Sequence, residues 1–117
     1  LLRYVFQAKH ITLDVLLASV TVYILFGAVF VPFYTLIEII APHSFSGNGL
    51  VENGITYWQN FVYFSYVTLT TVGYGDILPV SLWAKSLVGI EAVSGTMYLT
   101  IVMARLVGLY ASDDSRK

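Results

Sequence analysis

The 117-residue chain has no cysteine, which excludes disulfides, thiolate metal sites and cysteine nucleophiles. Charge is scarce too: Asp, Glu, Lys and Arg make up 11% of residues, against about 25% in an ordinary soluble domain. The net charge of −1 leaves no basic surface to neutralise a run of phosphates, so nucleic acid is not an expected partner. No nucleophile–base pair and no cluster of metal-ligating side chains is legible, so neither an enzyme nor a cofactor is expected. Proline is confined to Pro32, Pro42 and Pro79, which leaves long stretches free to be helical.

What remains is apolar. Hydrophobic residues are 57% of the chain, and the mean hydropathy is +0.76. Two runs, 13–40 and 81–110, exceed the roughly 20 helical residues that cross a bilayer. Neither is a secretory leader, because both are too long and the first follows a polar-striped segment without a small-residue cleavage site. The chain begins at Leu1 rather than Met, and reads as a fragment. A hairpin of two spanning helices buries little surface alone, and loop backbone in lipid needs partners, so an oligomer is expected.

Residues 1–12 place Arg3, Gln7, His10 and Asp14 on one helical stripe, with Val5, Phe6 and Ile11 elsewhere. That pattern fits an interfacial helix on the membrane surface, or a plain extension of the first spanning helix. Thr12 can cap the helix that follows, with Asp14 in its first turn, where the helix dipole favours an acid. Pro32 lies in the outer half of 13–40, where a kink is expected. Pro42, Gly47, Gly49 and Gly54 mark residues 41–57 as a polar loop. Residues 58–70 have strand-forming side chains (Tyr63, Tyr66, Val67, Thr68), but an open strand edge cannot sit in lipid. A short re-entrant helix surrounded by other helices can, so a helix is expected there. Residues 111–117 read as a polar tail. Arg3, Lys9, Arg105, Arg116 and Lys117 fall on one side of the hairpin and Lys85 alone on the other. By the positive-inside rule both termini are cytoplasmic, and His10 and His43 lie on opposite sides.

Residues 70–76 read Thr-Thr-Val-Gly-Tyr-Gly-Asp. Successive carbonyls can face one way only if the backbone alternates between ordinary and left-handed conformations. Glycine reaches the latter at little cost, which accounts for Gly73 and Gly75. Stiff, β-branched Val72 packs outward, and Thr71 adds a hydroxyl below the last carbonyl ring. Several copies around an axis would stack rings of oxygen that replace the water shell of a cation.

Thr70-Thr71-Val72-Gly73-Tyr74-Gly75-Asp76 resembles the signature of potassium channels without a substitution. The likeness extends over the pore helix, the filter and the second helix, with Pro79-Val80-Ser81-Leu82-Trp83 following as in many bacterial and voltage-gated members. It implies an all-α membrane protein: outer helix 13–40, re-entrant pore helix 58–70, extended filter 71–76 and inner helix 81–110, as a homotetramer around a central pore. It resembles most the bacterial two-transmembrane channels, which implies the plasma membrane of a bacterium or archaeon. K+ would be the permeant ion, bound at Thr71, Val72, Gly73 and Tyr74, with Gly75 closing the filter.

The resemblance assigns further roles. Thr70, Asp76, Tyr63 and Phe64 support the filter. Tyr63 and Phe64 stand where relatives carry tryptophans and would form an aromatic cuff around Tyr74, with Tyr63 either bonding Asp76 or simply packing. Val67 replaces the glutamate that some members pair with the filter aspartate, and implies different inactivation. Leu78 replaces the aromatic ring that binds external tetraethylammonium, and implies weak block. Gly95 is the hinge position, and Thr96, Leu99, Met103 and Val107 would line the cavity and a dewetting gate. Apart from the resemblance, Glu91 needs a partner, because a central acid costs about 2.5–3.5 kcal/mol on insertion scales, and it is read as a filter support hydrogen-bonded behind the filter in place of the missing glutamate. Ser65, Thr68 and Thr70 are candidates, and the alternative is a protonated structural acid. Arg105 is expected to snorkel to lipid phosphates.

Three rivals differ in testable ways. Pacemaker-type channels keep Gly-Tyr-Gly and pass sodium, but lack the threonine that stands here at 71. Repeat-built potassium transporters carry four unequal repeats, whereas one is seen here. A merely structural hairpin leaves the heptapeptide unexplained. What opens the pore is not written in these residues; a regulatory domain outside them is the expected partner, besides the bilayer and the other subunits.

Overall fold

Thr12 is a helix cap. Its backbone is extended (φ −124°, ψ 164°) and its side chain accepts the Val15 amide, so a new helix starts there. The structure is a computed structural model and describes residues 2–7, 12–47, 50–52, 55–56 and 58–115. Helix α1 spans Leu2–Gln7, and α2 spans Leu13–Ile40, with Asp14 in its first turn. Because Thr12 breaks the helix, α1 is not a prolongation of α2. Val5 on α1 is buried against Ala18 of α2 and Val102 further along the chain. Of the stripe residues, His10 lies outside the described residues, as do 8, 9 and 11.

Helix α2 continues through Pro32. At about 1.5 Å per residue its 28 residues reach roughly 42 Å, longer than the ~30 Å hydrocarbon layer. Residues 41–57 are not plain loop. Strand β1 (Phe45–Ser46) pairs antiparallel with β4 (Leu78–Pro79), and β2 (Val51–Glu52) pairs with β3 (Ile55–Thr56). Ser44 extends the first ladder, its carbonyl accepting the amides of Val80 (2.7 Å) and Ser81 (3.2 Å).

Helix α3 spans Trp58–Leu69, and α4 spans Leu82–Ser115. Ser81 caps α4, its hydroxyl accepting the Ala84 amide at 3.1 Å. The expected tail is therefore partly helix: residues 111–115 continue α4. After Gly108 no glycine or proline interrupts the run, so nothing local stops the helix.

The core is an aromatic cluster where α2, β1 and α3 meet. Tyr34, Phe61 and Phe64 lie against Phe45, with ring centroids 5.0–5.5 Å apart for the Phe45 pairs. These edge-to-face contacts favour offset quadrupoles beyond the area they bury. Helix α4 lays one stripe on the rest of the chain, with Ala84, Glu91, Gly95 and Val102 buried at helical spacing.

Candidate functional site

The end of α3 sets the path of residues 70–76. The Thr70 amide still bonds the Tyr66 carbonyl (3.0 Å), and Thr71 bonds Thr68 (3.1 Å). The amides of Val72 and Gly73 then both return to one carbonyl, that of Val67, at 3.0 and 3.3 Å. The segment thus spends its donors on the helix end it has just left. Among the described residues, no carbonyl of 71–75 accepts a hydrogen bond. A backbone acceptor needs a partner when water is removed, so this row of oxygens is chemically open.

The backbone alternates as the glycine argument requires, and the pattern reaches one residue further. Thr71 (φ 62°), Gly73 (φ 57°) and Gly75 (φ 83°) are left-handed, while Val72 and Tyr74 are not. Such alternation turns successive carbonyls toward a common side. A left-handed conformation is an outlier for a β-branched residue, so Thr71 is held there by its surroundings. Its amide and those of the next residues, tied to α3, are the visible restraint. The C-terminus of α3, with its partial negative charge, ends at the base of this row.

Behind 71–75 lies a hollow of about 250 Å³, bordered by Phe64, Val67, Thr68 and Ile77. On the outer side Tyr63 stacks on Tyr74, with centroids 6.4 Å apart and planes 5° from parallel. A hydrogen bond to Asp76 is the main reason the Tyr63 phenol is pushed above its ordinary pKa, with burial second. Asp76 also accepts the Ile77 amide at 3.1 Å. Phe64 is placed differently from the expected cuff: its ring contacts are with Tyr34 and Phe45 in the core, not with Tyr74. The aromatic cluster offers it more apolar surface than the exposed Tyr74 does.

Glu91 is fully buried and reaches two hydroxyls. Of the three partners considered from sequence, the structure selects Ser65, whose Oγ lies 2.5 Å from Oε1. Thr70 instead donates to the Tyr66 carbonyl at 2.6 Å. The second partner is Tyr34, whose hydroxyl donates to Oε2. Sequence reasoning missed Tyr34, which nothing sets apart among nine tyrosines. It also missed Glu38, buried near the end of α2, whose carboxyl oxygens accept the amides of His43 (2.9 Å) and Phe45 (3.0 Å). The cost of an acid in an apolar run, which singles out Glu91, would have found Glu38 as well. Through Phe45 it fixes β1, and through β1 the β4 strand that follows residues 70–76.

Gly95 is a close-approach position. A Cβ there would strike Leu69 Cδ1 and lie 3.2 Å from the Leu69 carbonyl oxygen. Gly27 plays the same part on α2, where a Cβ would meet the Tyr66 ring at 2.5 Å. Thr96, Leu99, Met103 and Val107 are all exposed on α4, away from its packed stripe.

Two helices are long and apolar enough to cross a membrane, and they are joined through a short helix and an open-carbonyl segment. A family model described as "Ion channel" matches residues 18–111, which takes in α3, residues 70–76 and most of both long helices. The chain belongs to this two-transmembrane ion channel family. No curated protein and no solved structure matches the chain.

Proposed function

We propose that the protein is a potassium-selective pore, a homotetramer through which K+ crosses the membrane passively. Each copy contributes the carbonyls of Thr71, Val72, Gly73 and Tyr74 and the Thr71 hydroxyl to rings that replace the hydration shell of the ion. Gly75 completes the turn out of the filter, and Asp76 and Tyr63 brace its outer end. The observation that carries this reading is the alternation of backbone hand from 71 to 75, together with carbonyls left unbonded.

The exposure of α4 supports an oligomer. Of the residues in its apolar window 17% are buried, against 39% in α2, so α4 must be covered by other copies or by lipid. Thr96, Leu99, Met103 and Val107 then line the cavity and inner entrance, where an apolar constriction gates by dewetting. The termini face the cytoplasm of a bacterial or archaeal cell, and residues 41–57 face outward. The α1–α2–α4 contact places Arg3 and Arg105 near the same end of the hairpin, in keeping with that orientation.

Bi-ionic recording from protein reconstituted in planar bilayers tests the reading. With K+ on one side and Na+ on the other, the reversal potential is expected to move by more than ~59 mV, the shift for a tenfold permeability ratio. A reversal potential near zero makes the pore cation-permeable but unselective and rejects potassium selectivity.

A further inference from the structure

Glu91 is an acid in the middle of a membrane helix, and the groups that face it are hydroxyls: Tyr34 and Tyr23 from α2 and Ser65 from α3. Among the described residues no Lys, Arg or His lies against it. Four groups stand in a row. Tyr34 Oη contacts Glu91 Oε2, Glu91 Oε1 contacts Ser65 Oγ at 2.5 Å, and Ser65 Oγ contacts the Gly27 carbonyl oxygen at 2.7 Å. Each of these three short oxygen–oxygen contacts needs a proton between its oxygens. Tyr34 supplies one and Ser65 supplies one, but a backbone carbonyl supplies none. With an ionised Glu91 there are only two protons for three contacts. Ser65 would then donate either to Glu91 or to Gly27, and the other pair would press lone pair against lone pair in a buried place.

We infer that Glu91 is a neutral carboxylic acid, protonated on Oε1, and that it works as a positioning residue. It donates to Ser65, which donates to Gly27, while Tyr34 donates to Oε2. Every contact then carries one proton. The resulting chain clamps α2, α3 and α4 together at one level. Ser65 lies two residues before Val67, whose carbonyl holds the amides of Val72 and Gly73. The clamp therefore fixes the part of α3 from which residues 70–76 hang. Gly27 takes part because its missing side chain lets Tyr66 approach α2. The proton count rests on this hydrogen-bond chain alone and holds whichever ion the pore passes.

Infrared spectroscopy of the whole purified protein at neutral pH is the test. A protonated-carboxyl stretching band is expected in the wild type. It should vanish in Glu91→Gln and move to higher frequency in Ser65→Ala, which removes the acceptor of the Glu91 proton. The Gln side chain can donate to Ser65 and accept from Tyr34, so Glu91→Gln should keep the thermal midpoint of the oligomer, whereas Glu91→Ala should lower it. If Glu91→Gln does not assemble, the Ser65→Ala shift assigns the band instead. A wild-type spectrum without a protonated-carboxyl band, or a band that neither substitution moves, overturns the inference. An unselective pore that still shows the band would sink the potassium reading and leave this one standing.

Discussion

Thr71 carries a left-handed backbone on a β-branched residue, with φ at 62°. A non-glycine residue there costs about 1–2 kcal/mol, which the amide bonds from 71, 72 and 73 back to α3 must offset. Gly73 has the same conformation without that cost, and an added Cβ would meet nothing within 4 Å in its own chain. Gly73→Ala is therefore a test of backbone strain rather than of crowding within a copy. It should raise the energy of the open-carbonyl conformation by about 1–2 kcal/mol per copy and reduce K+ over Na+ discrimination at least about tenfold in bi-ionic recordings. Unchanged discrimination would separate selectivity from the alternating backbone. The glycines of the segment were legible because only glycine takes positive φ freely. The hand of Thr71 was not, because it is imposed by hydrogen bonds to α3 and threonine has no local preference for it. The need of Glu91 for a partner was legible from its cost in lipid. Tyr34 was not, because 57 residues separate the two in sequence and only packing brings them together.

At the scale of elements, the junction of α3 with α2 and α4 is set by two glycines and by main-chain carbonyls that accept tyrosine hydroxyls. Tyr66 donates to the Ile24 carbonyl (2.8 Å), and Tyr23 donates to that of Leu69 (3.1 Å). Gly95 meets Leu69 so closely that a hinge role and a packing role make different forecasts. If packing dominates, Gly95→Ala overpacks the contact and destabilises by about 1–3 kcal/mol. Adding Leu69→Ala should then recover part of the loss, with a coupling of roughly 0.5–3 kcal/mol in a thermal-unfolding double-mutant cycle. A hinge alone gives additive stabilities, with altered opening kinetics in both Gly95→Ala variants. The start of α2 was legible in Thr12 and Asp14, since a cap is a local chemical event. The length of α4 was not, because a polar tail without glycine or proline continues a helix as readily as it leaves one. Phe64 was assigned to a cuff by resemblance, and the aromatic core took it instead, an outcome decided by β1 folding back through Phe45.

At the scale of the whole molecule, much apolar surface is left uncovered within one chain. Large apolar side chains are exposed along both long helices, among them Leu17, Ile24, Phe33, Ile90 and Met97. Lipid satisfies those on the outer face, but the exposed carbonyl row of 71–75 needs polar partners that lipid cannot give. In the proposed assembly, a ring of identical segments around water and ions provides them. The pairing of β1 with β4, anchored by Glu38, ties residues 45–46 to the strand that follows residues 70–76. The most direct measurement is anomalous X-ray scattering from crystals of the assembled protein grown with rubidium in place of potassium. Anomalous peaks are expected on the symmetry axis, stacked at the levels of the Thr71, Val72, Gly73 and Tyr74 carbonyls. Rubidium bound only at side chains, or an assembly in which these segments do not converge on one axis, would contradict the proposed filter.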